Sequence, residues 1–189
     1  MSLIGHNGGP SLQPGYGFRK LAWTKARRAL LPNLPREIVR IHVARAKRLG
    51  LPYRTYATIR ATSGRDIVAF LFSGNALEMA PARPRPAPPL RARLSELEGA
   101  ADRLAAVYAP LSPSLVERTC PEIDAASRAP DMLTSWREMR DGLRGLMRAR
   151  GLPPDGVVLI SATALEREWC AAAGMAGNLS AEAFFARRA

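Results

Sequence analysis

Two nine-residue segments hold the arrangement of polar groups best suited to chemistry. Phe70-Leu71-Phe72-Ser73-Gly74-Asn75-Ala76-Leu77-Glu78 aligns without a gap on Val158-Leu159-Ile160-Ser161-Ala162-Thr163-Ala164-Leu165-Glu166, with five of the nine pairs identical. Each couples a short apolar run, the mark of a buried strand, to a hydroxyl and then to helix-forming residues. Where such a strand ends beside a helix start, unpaired N–H groups and the positive end of the helix dipole favour a phosphate or carboxylate. Ser73, Asn75, Ser161 and Thr163 would add hydroxyl and amide donors, and they form the candidate phosphate-binding set. The competing role for all four is capping, because Ser, Thr and Asn readily satisfy the free N–H groups of a helix.

A second set of residues is electrostatic. The chain has a formal net charge of +12, unevenly placed. Residues 1–80 hold thirteen Lys/Arg against three acids (Glu37, Asp66, Glu78), whereas residues 81–189 are nearly balanced. A field that lopsided attracts polyanions, nucleic acid first. Arg27, Arg28, Arg36, Arg40, Lys47, Arg54 and Arg60 would hold phosphates, and the interleaved Tyr53 and Tyr56 could stack on bases. The tyrosines read more readily as ordinary residues between surface and core.

These residues need elements to position them. A leader over residues 1–17, rich in Gly and Pro, precedes a helix expected over Phe18–Leu30 and another over Arg36–Leu49, with Pro35 suited to its first turn. On the second helix Ile38, Val39, His42, Ala46 and Leu49 share a face, opposite Arg36, Arg40 and Lys47. His42 therefore reads as a partly buried core histidine. After Gly50-Leu51-Pro52, residues 53–62 form a third helix, although strand alternation is also present. The two helices could make a helix-turn-helix, with 53–62 entering the groove. Residues 67–72 and 157–160 are buried-strand candidates. Five prolines in 81–90 point to an extended spacer between a basic half, 18–80, and a second half, 91–189.

In the second half a helix is expected over Arg91–Tyr108, from the spacing of Leu94, Leu97, Ala101 and Leu104. Ser135 and Glu138 form a capping box ahead of a stripe of Trp136, Met139, Leu143, Leu146 and Met147. Thr163 and Glu166 form another, opening a helix that buries Leu165, Trp169 and Ala172. Ser180 caps a last short helix carrying Phe184 and Phe185. The fold class that follows is α/β and helix-rich, with a small parallel sheet packed by helices. The alternative is mainly α, with a helix-turn-helix-like first half. Adjacent parallel pairing of 67–72 with 157–160 would favour the serine loops; a helical 67–72 would favour DNA.

The opening Gly5-His6-Asn7-Gly8-Gly9-Pro10 resembles the start of many short, uncharacterised bacterial proteins, some phage-associated; the resemblance implies no activity. Val68-Ala69-Phe70-Leu71-Phe72-Ser73-Gly74-Asn75 resembles the first strand of the haloacid-dehalogenase-like phosphohydrolases. Val158-Leu159-Ile160-Ser161-Ala162-Thr163 resembles their last conserved loop. The departures are severe. Where that family has two aspartates this chain has Leu71 and Ser73, Ala162 stands for an acidic metal ligand, and no lysine follows Lys47. Without a nucleophile and Mg²⁺ ligands, such a relative would be inactive.

No dinucleotide fingerprint, phosphate-binding P-loop or His-Glu-x-x-His string occurs. Cys120 and Cys170 lie in no ligand spacing, so neither zinc nor another metal or cofactor is expected, and they suit a reducing cytoplasm. No secretory leader or membrane-spanning run is visible. The expectation is a cytoplasmic, non-enzymatic protein that binds nucleic acid. Its alternatives are an α/β protein binding a small phosphorylated ligand at Ser73, Asn75, Ser161 and Thr163, and a subunit of a larger assembly, with a protein partner on residues 91–189.

Overall fold

The computed structural model describes residues 35–186. The leader, the expected helix over Phe18–Leu30, and Arg27 and Arg28 lie outside them. Among the described residues, those from Arg40 onward belong to one compact unit.

The described chain runs α1 (Arg36–Arg48), α2 (Tyr53–Ser63), β1 (Ala69–Ser73), α3 (Pro88–Ser95), β2 (Asp102–Val107), α4 (Pro113–Thr119), β3 (Ala125–Arg128), α5 (Trp136–Ala149), a 3₁₀ turn at Pro154–Gly156, β4 (Val157–Ser161), α6 (Ala164–Ala173), β5 (Gly177–Ser180) and α7 (Ala181–Phe185). The five strands form one sheet, all parallel, in the order β3-β2-β1-β4-β5. The protein is therefore α/β, and the mainly-α alternative does not hold. Residues 53–63 are helical, but they lead into the central strand of a parallel sheet instead of forming an independent helix-turn-helix.

Alternation along β1 explains the layers. Phe70 and Phe72 face a core shared with Ala46, Leu49, Tyr56, Ile59, Leu94, Leu97, Val116 and Phe184. Ala69 and Leu71 face the opposite core, with Met139, Leu143, Met147, Trp169 and Ala172. Both faces are covered, which is why β1 and β4 read as unbroken apolar runs. The chain winds outward from β1 to β3 through helices on the first face. It then crosses back through α5 on the second face to β4, beside β1. The winding reverses between β1 and β4, the topological switch point where ligands of open α/β sheets bind.

Several expectations need correction. The Arg91–Tyr108 helix is two elements: α3 ends at Ser95, a turn containing Gly99 (φ 65°) reverses the chain, and residues 102–107 are β2. The leucine spacing mimicked helical periodicity across that break. Within 81–90, Pro88 and Pro89 open α3, because the first helical turn has no use for their missing N–H. Nor does the 81–90 segment separate independent halves, since β1 before it is hydrogen-bonded to β2 and β4 after it. Trp136 and Leu165, expected in the core, are 52% and 57% exposed. Each occupies the first turn of its helix, α5 or α6, whose later turns supply the buried residues.

Candidate functional site

Parallel pairing carries Ser73 and Ser161 to the same edge of the sheet, because Phe72 is in register with Ile160 and each serine follows by one residue. The repeat noted in the sequence thus holds for the strands. It fails for what comes next: residues 74–78 form turns, whereas Thr163 opens α6 directly. Glu78 and Glu166, the paired last residues of the repeat, differ accordingly. Glu78 is exposed at φ 54° with Arg83 as its ion-pair partner, and Glu166 is fully buried.

Glu166 organises the strand ends. Its Oε1 accepts hydrogen bonds from Asn75 Nδ2 (2.9 Å) and the Tyr108 hydroxyl (3.0 Å). Its Oε2 accepts from the backbone N–H groups of Ala162 (2.7 Å) and Thr163 (3.0 Å). Charge-assisted donation of this kind stabilises a buried carboxylate, and the start of α6 adds its dipole. Burial, then the neighbouring Glu166 charge and the hydrogen bond to it, push the Tyr108 hydroxyl well above the ordinary tyrosine range. Beside this cluster lies a cavity of about 150 Å³ lined by Gly74, Asn75, Met79, Tyr108, Ala109 and Leu111 among others.

All four candidate phosphate-binding side chains have partners within the fold, Ser73 and Ser161 buried and Asn75 and Thr163 exposed. Ser73 is fully buried and its Oγ accepts from the Ala76 N–H at 3.0 Å. Ser161 donates to Asn178 Oδ1 at 2.8 Å. Thr163 accepts from the Glu166 N–H as one half of a capping box. Asn75 is held by Glu166. An internal carboxylate occupies the place where the sequence suggested an external anion. Leu71 is fully buried within β1, so the strand end presents Ser73 and Asn75, not Leu71 and Ser73.

The basic set divides. Tyr56 is 1% exposed and donates to Asp66 Oδ1 at 2.8 Å, so it cannot stack on a base. Asp66 also accepts from Arg45 Nε at 2.9 Å and lies 3.6 Å from Arg60, which holds Arg60 against the fold. Burial and then Asp66 raise the Tyr56 pKa. His42 is half-buried with its ring edge-on to Tyr56, as its helix face implied. By contrast Arg40, Lys47 and Arg54 are exposed, and Tyr53 is partly so; Arg36 is exposed in the first turn of α1. None of these four cations has an ion-pair partner among the described residues.

Sequence reasoning missed Asn75 and Tyr108 as ligands of Glu166, and Asp66 as the acceptor for Arg45. The capping box did mark Glu166 itself, but only as a local feature. Among the described residues no cluster of three or more His, Cys, Asp or Glu is placed to hold a metal ion. No helix among them is long and apolar enough to cross a membrane. No family model, curated protein or solved structure matches the chain.

Proposed function

We propose that this protein binds nucleic acid without catalysis, through cations on the exposed side of α1 and at the start of α2. The supporting observation is that Arg40, Lys47 and Arg54 face solvent with no acid partner among the described residues, whereas Arg45 and Arg60 are held by Asp66. The sequence of residues 1–36 separately carries Arg19, Lys20, Lys25, Arg27, Arg28 and Arg36 with no acid among them. Free guanidinium and ammonium groups gain by releasing counterions from a phosphate backbone, so binding should be tolerant of sequence and fall steeply with salt. Titration of a labelled DNA duplex and of single-stranded RNA at low salt tests the reading. Retention of full affinity by the charge-reversed double variant R40E/K47E, or no binding by the wild type, overturns it.

The strand-end site supports a second reading, a small phosphorylated ligand at Ser73, Asn75, Ser161 and Thr163. It draws on the adjacent parallel pairing of β1 with β4, the arrangement expected to favour the serine loops over a DNA-binding first half, and on the neighbouring cavity. Such a ligand has to compete with the Glu166 carboxylate for Asn75. Thermal-shift measurements with nucleotides and sugar phosphates decide it, because a ligand selective for the native state raises Tm. A protein partner for residues 91–189 would meet Met132, Leu133 and Trp136, which are 87%, 95% and 52% exposed. The unpaired thiols of Cys120 and Cys170 fit a reducing cytoplasm.

A further inference from the structure

The sheet has a second rim, at the amino-terminal ends of its strands, and arginines crowd it. Four acids there are already matched: Asp66 with Arg45, Asp102 with Arg150 at 3.0 Å, Asp124 with Arg103 at 2.7 Å, and Asp155 with Arg65 at 2.9 Å; Glu98, exposed beside Gly99, has no ion-pair partner among the described residues. Three further arginines have no acid partner among the described residues. Arg48 donates to the Gly99 carbonyl at 3.0 Å, and Arg144 donates through Nε to the Ala173 carbonyl at 2.9 Å. Arg148 is exposed one turn beyond Arg144. A carbonyl fixes a guanidinium in place and leaves its full positive charge uncompensated, so less order has to be imposed when an anion arrives.

These groups form a connected path. Arg48 at the end of α1 reaches Gly99, and Arg150 bonds Asp102, three residues further on at the start of β2. Gly151 follows Arg150 and joins Arg144, Arg148, Leu152, Pro153 and Pro154 around an open groove of about 420 Å³. The groove has an apolar floor and two arginines on its wall, with no acid in its lining. An arginine near the end of α5 also offsets the helix dipole. Arg144 plays the same part for α6, whose last residue is Ala173, through Nε alone, which leaves its terminal N–H groups without a partner among the described residues.

We propose that the phosphate path of this protein continues from Lys47 and Arg48 across this rim, with Arg144 and Arg148 holding backbone phosphates of the same nucleic acid in the groove. The inference rests on the nucleic-acid reading and deepens it, since it carries the contact surface into the segment of the chain that is nearly charge-balanced overall.

The test is the salt dependence of binding to a labelled DNA duplex, with single-stranded RNA in parallel, compared among the wild type, R40A/K47A, R144A/R148A, R148A and R137A. Each lost phosphate contact lowers the slope of log K against log salt by about 0.9 on duplex and about 0.7 on a single strand. R144A/R148A is expected to lose about two such contacts, and R148A about one. R148A removes no internal hydrogen bond of the described fold, so its loss cannot be assigned to misfolding. Arg137, 84% exposed at the far end of α5, serves as the remote control and is expected to leave the slope unchanged. A wild type that does not bind overturns both readings. Binding that weakens in R40A/K47A while R148A and R144A/R148A keep the wild-type slope overturns this inference alone. An equal loss in R137A and R148A overturns it as well, because the attraction would then follow net charge and not the groove.

Discussion

The side-chain amide of Asn75 donates to Glu166 Oε1 at 2.9 Å across ninety-one residues of sequence. This bond ties the loop after β1 to the first turn of α6, and so bridges the switch point of the sheet. With Tyr108 bonded to the same oxygen, the ends of β1, β2 and β4 converge on one carboxylate.

Glu166→Ala should therefore be strongly destabilising. It removes the acceptor of the Tyr108 hydroxyl, the Asn75 amide and two backbone N–H groups, and a donor left unsatisfied and dry costs about 1–3 kcal/mol, although Asn75, Ala162 and Thr163 are exposed enough to meet water. Relaxation and water entry reduce the sum, and a loss of about 3 kcal/mol is expected from urea unfolding. Tyr108→Phe removes one donor and should cost about 1 kcal/mol. An E166A variant as stable as the wild type would show that the cluster contributes nothing net.

Asp66→Ala should loosen α1 and α2 from the sheet. It removes the acceptor of Arg45 Nε, of the Tyr56 hydroxyl and of the Ile67 N–H. The expected loss is about 2–3 kcal/mol, against about 1 kcal/mol for Tyr56→Phe. Hydrogen exchange checks the location: protection should fall in residues 40–63 more than in α5 and α6.

Acid should destabilise the β2–β3 edge. Burial opposes ionisation of Asp124, but Arg103 outweighs it with bonds of 2.7 and 2.9 Å, and the Asp124 pKa is lowered. Glu122 is lowered likewise, with Arg91 overcoming burial. A carboxyl depressed in the folded state adds stability above its unfolded pKa of about 4, and that contribution disappears as pH falls through the folded value. Unfolding curves below about pH 5 should steepen in the wild type and flatten in Asp124→Asn. An unchanged acid limb in that variant contradicts the assignment.

Alkali acts with the opposite sign. The raised Tyr108 pKa means that the unfolded chain gives up this proton first, so stability should decline above about pH 10. Tyr108→Phe should reduce that decline, with Tyr56, also raised, supplying the remainder, and phenolate absorbance of the native protein should show both tyrosines titrating late.

Gly142 and Gly145 lie within α5, and a Cβ built on either meets no atom within 4 Å. Alanine at each position should raise stability by about 0.5–1 kcal/mol through the unfolded-state entropy it removes. A lower Tm in both variants would show that the open face of α5 needs glycine for another reason.

Much of the fold follows from local chemistry that the sequence displays openly. Phe70-Leu71-Phe72 and Val157-Val158-Leu159-Ile160 are apolar on both faces because both faces of a parallel sheet are covered. Ser135 with Glu138, Thr163 with Glu166, and Ser180 start helices where their hydroxyls meet free N–H groups. β2 and β3 were not legible: Ala105, Ala106, Ala125 and Ala126 carry neither branching nor bulk, and only their position between covered faces makes them strands. The candidate sites depended more heavily on tertiary structure. Sequence determined that positive charge gathers toward the amino terminus and that serines follow both buried strands. Packing alone decided which charges stay free, because an ion pair such as Arg45–Asp66 or Arg150–Asp102 requires closeness in space that spacing along the chain does not encode. Packing also decided that the anion at the strand ends would be Glu166, drawn there by donors on β1 and β2 loops far from it in sequence.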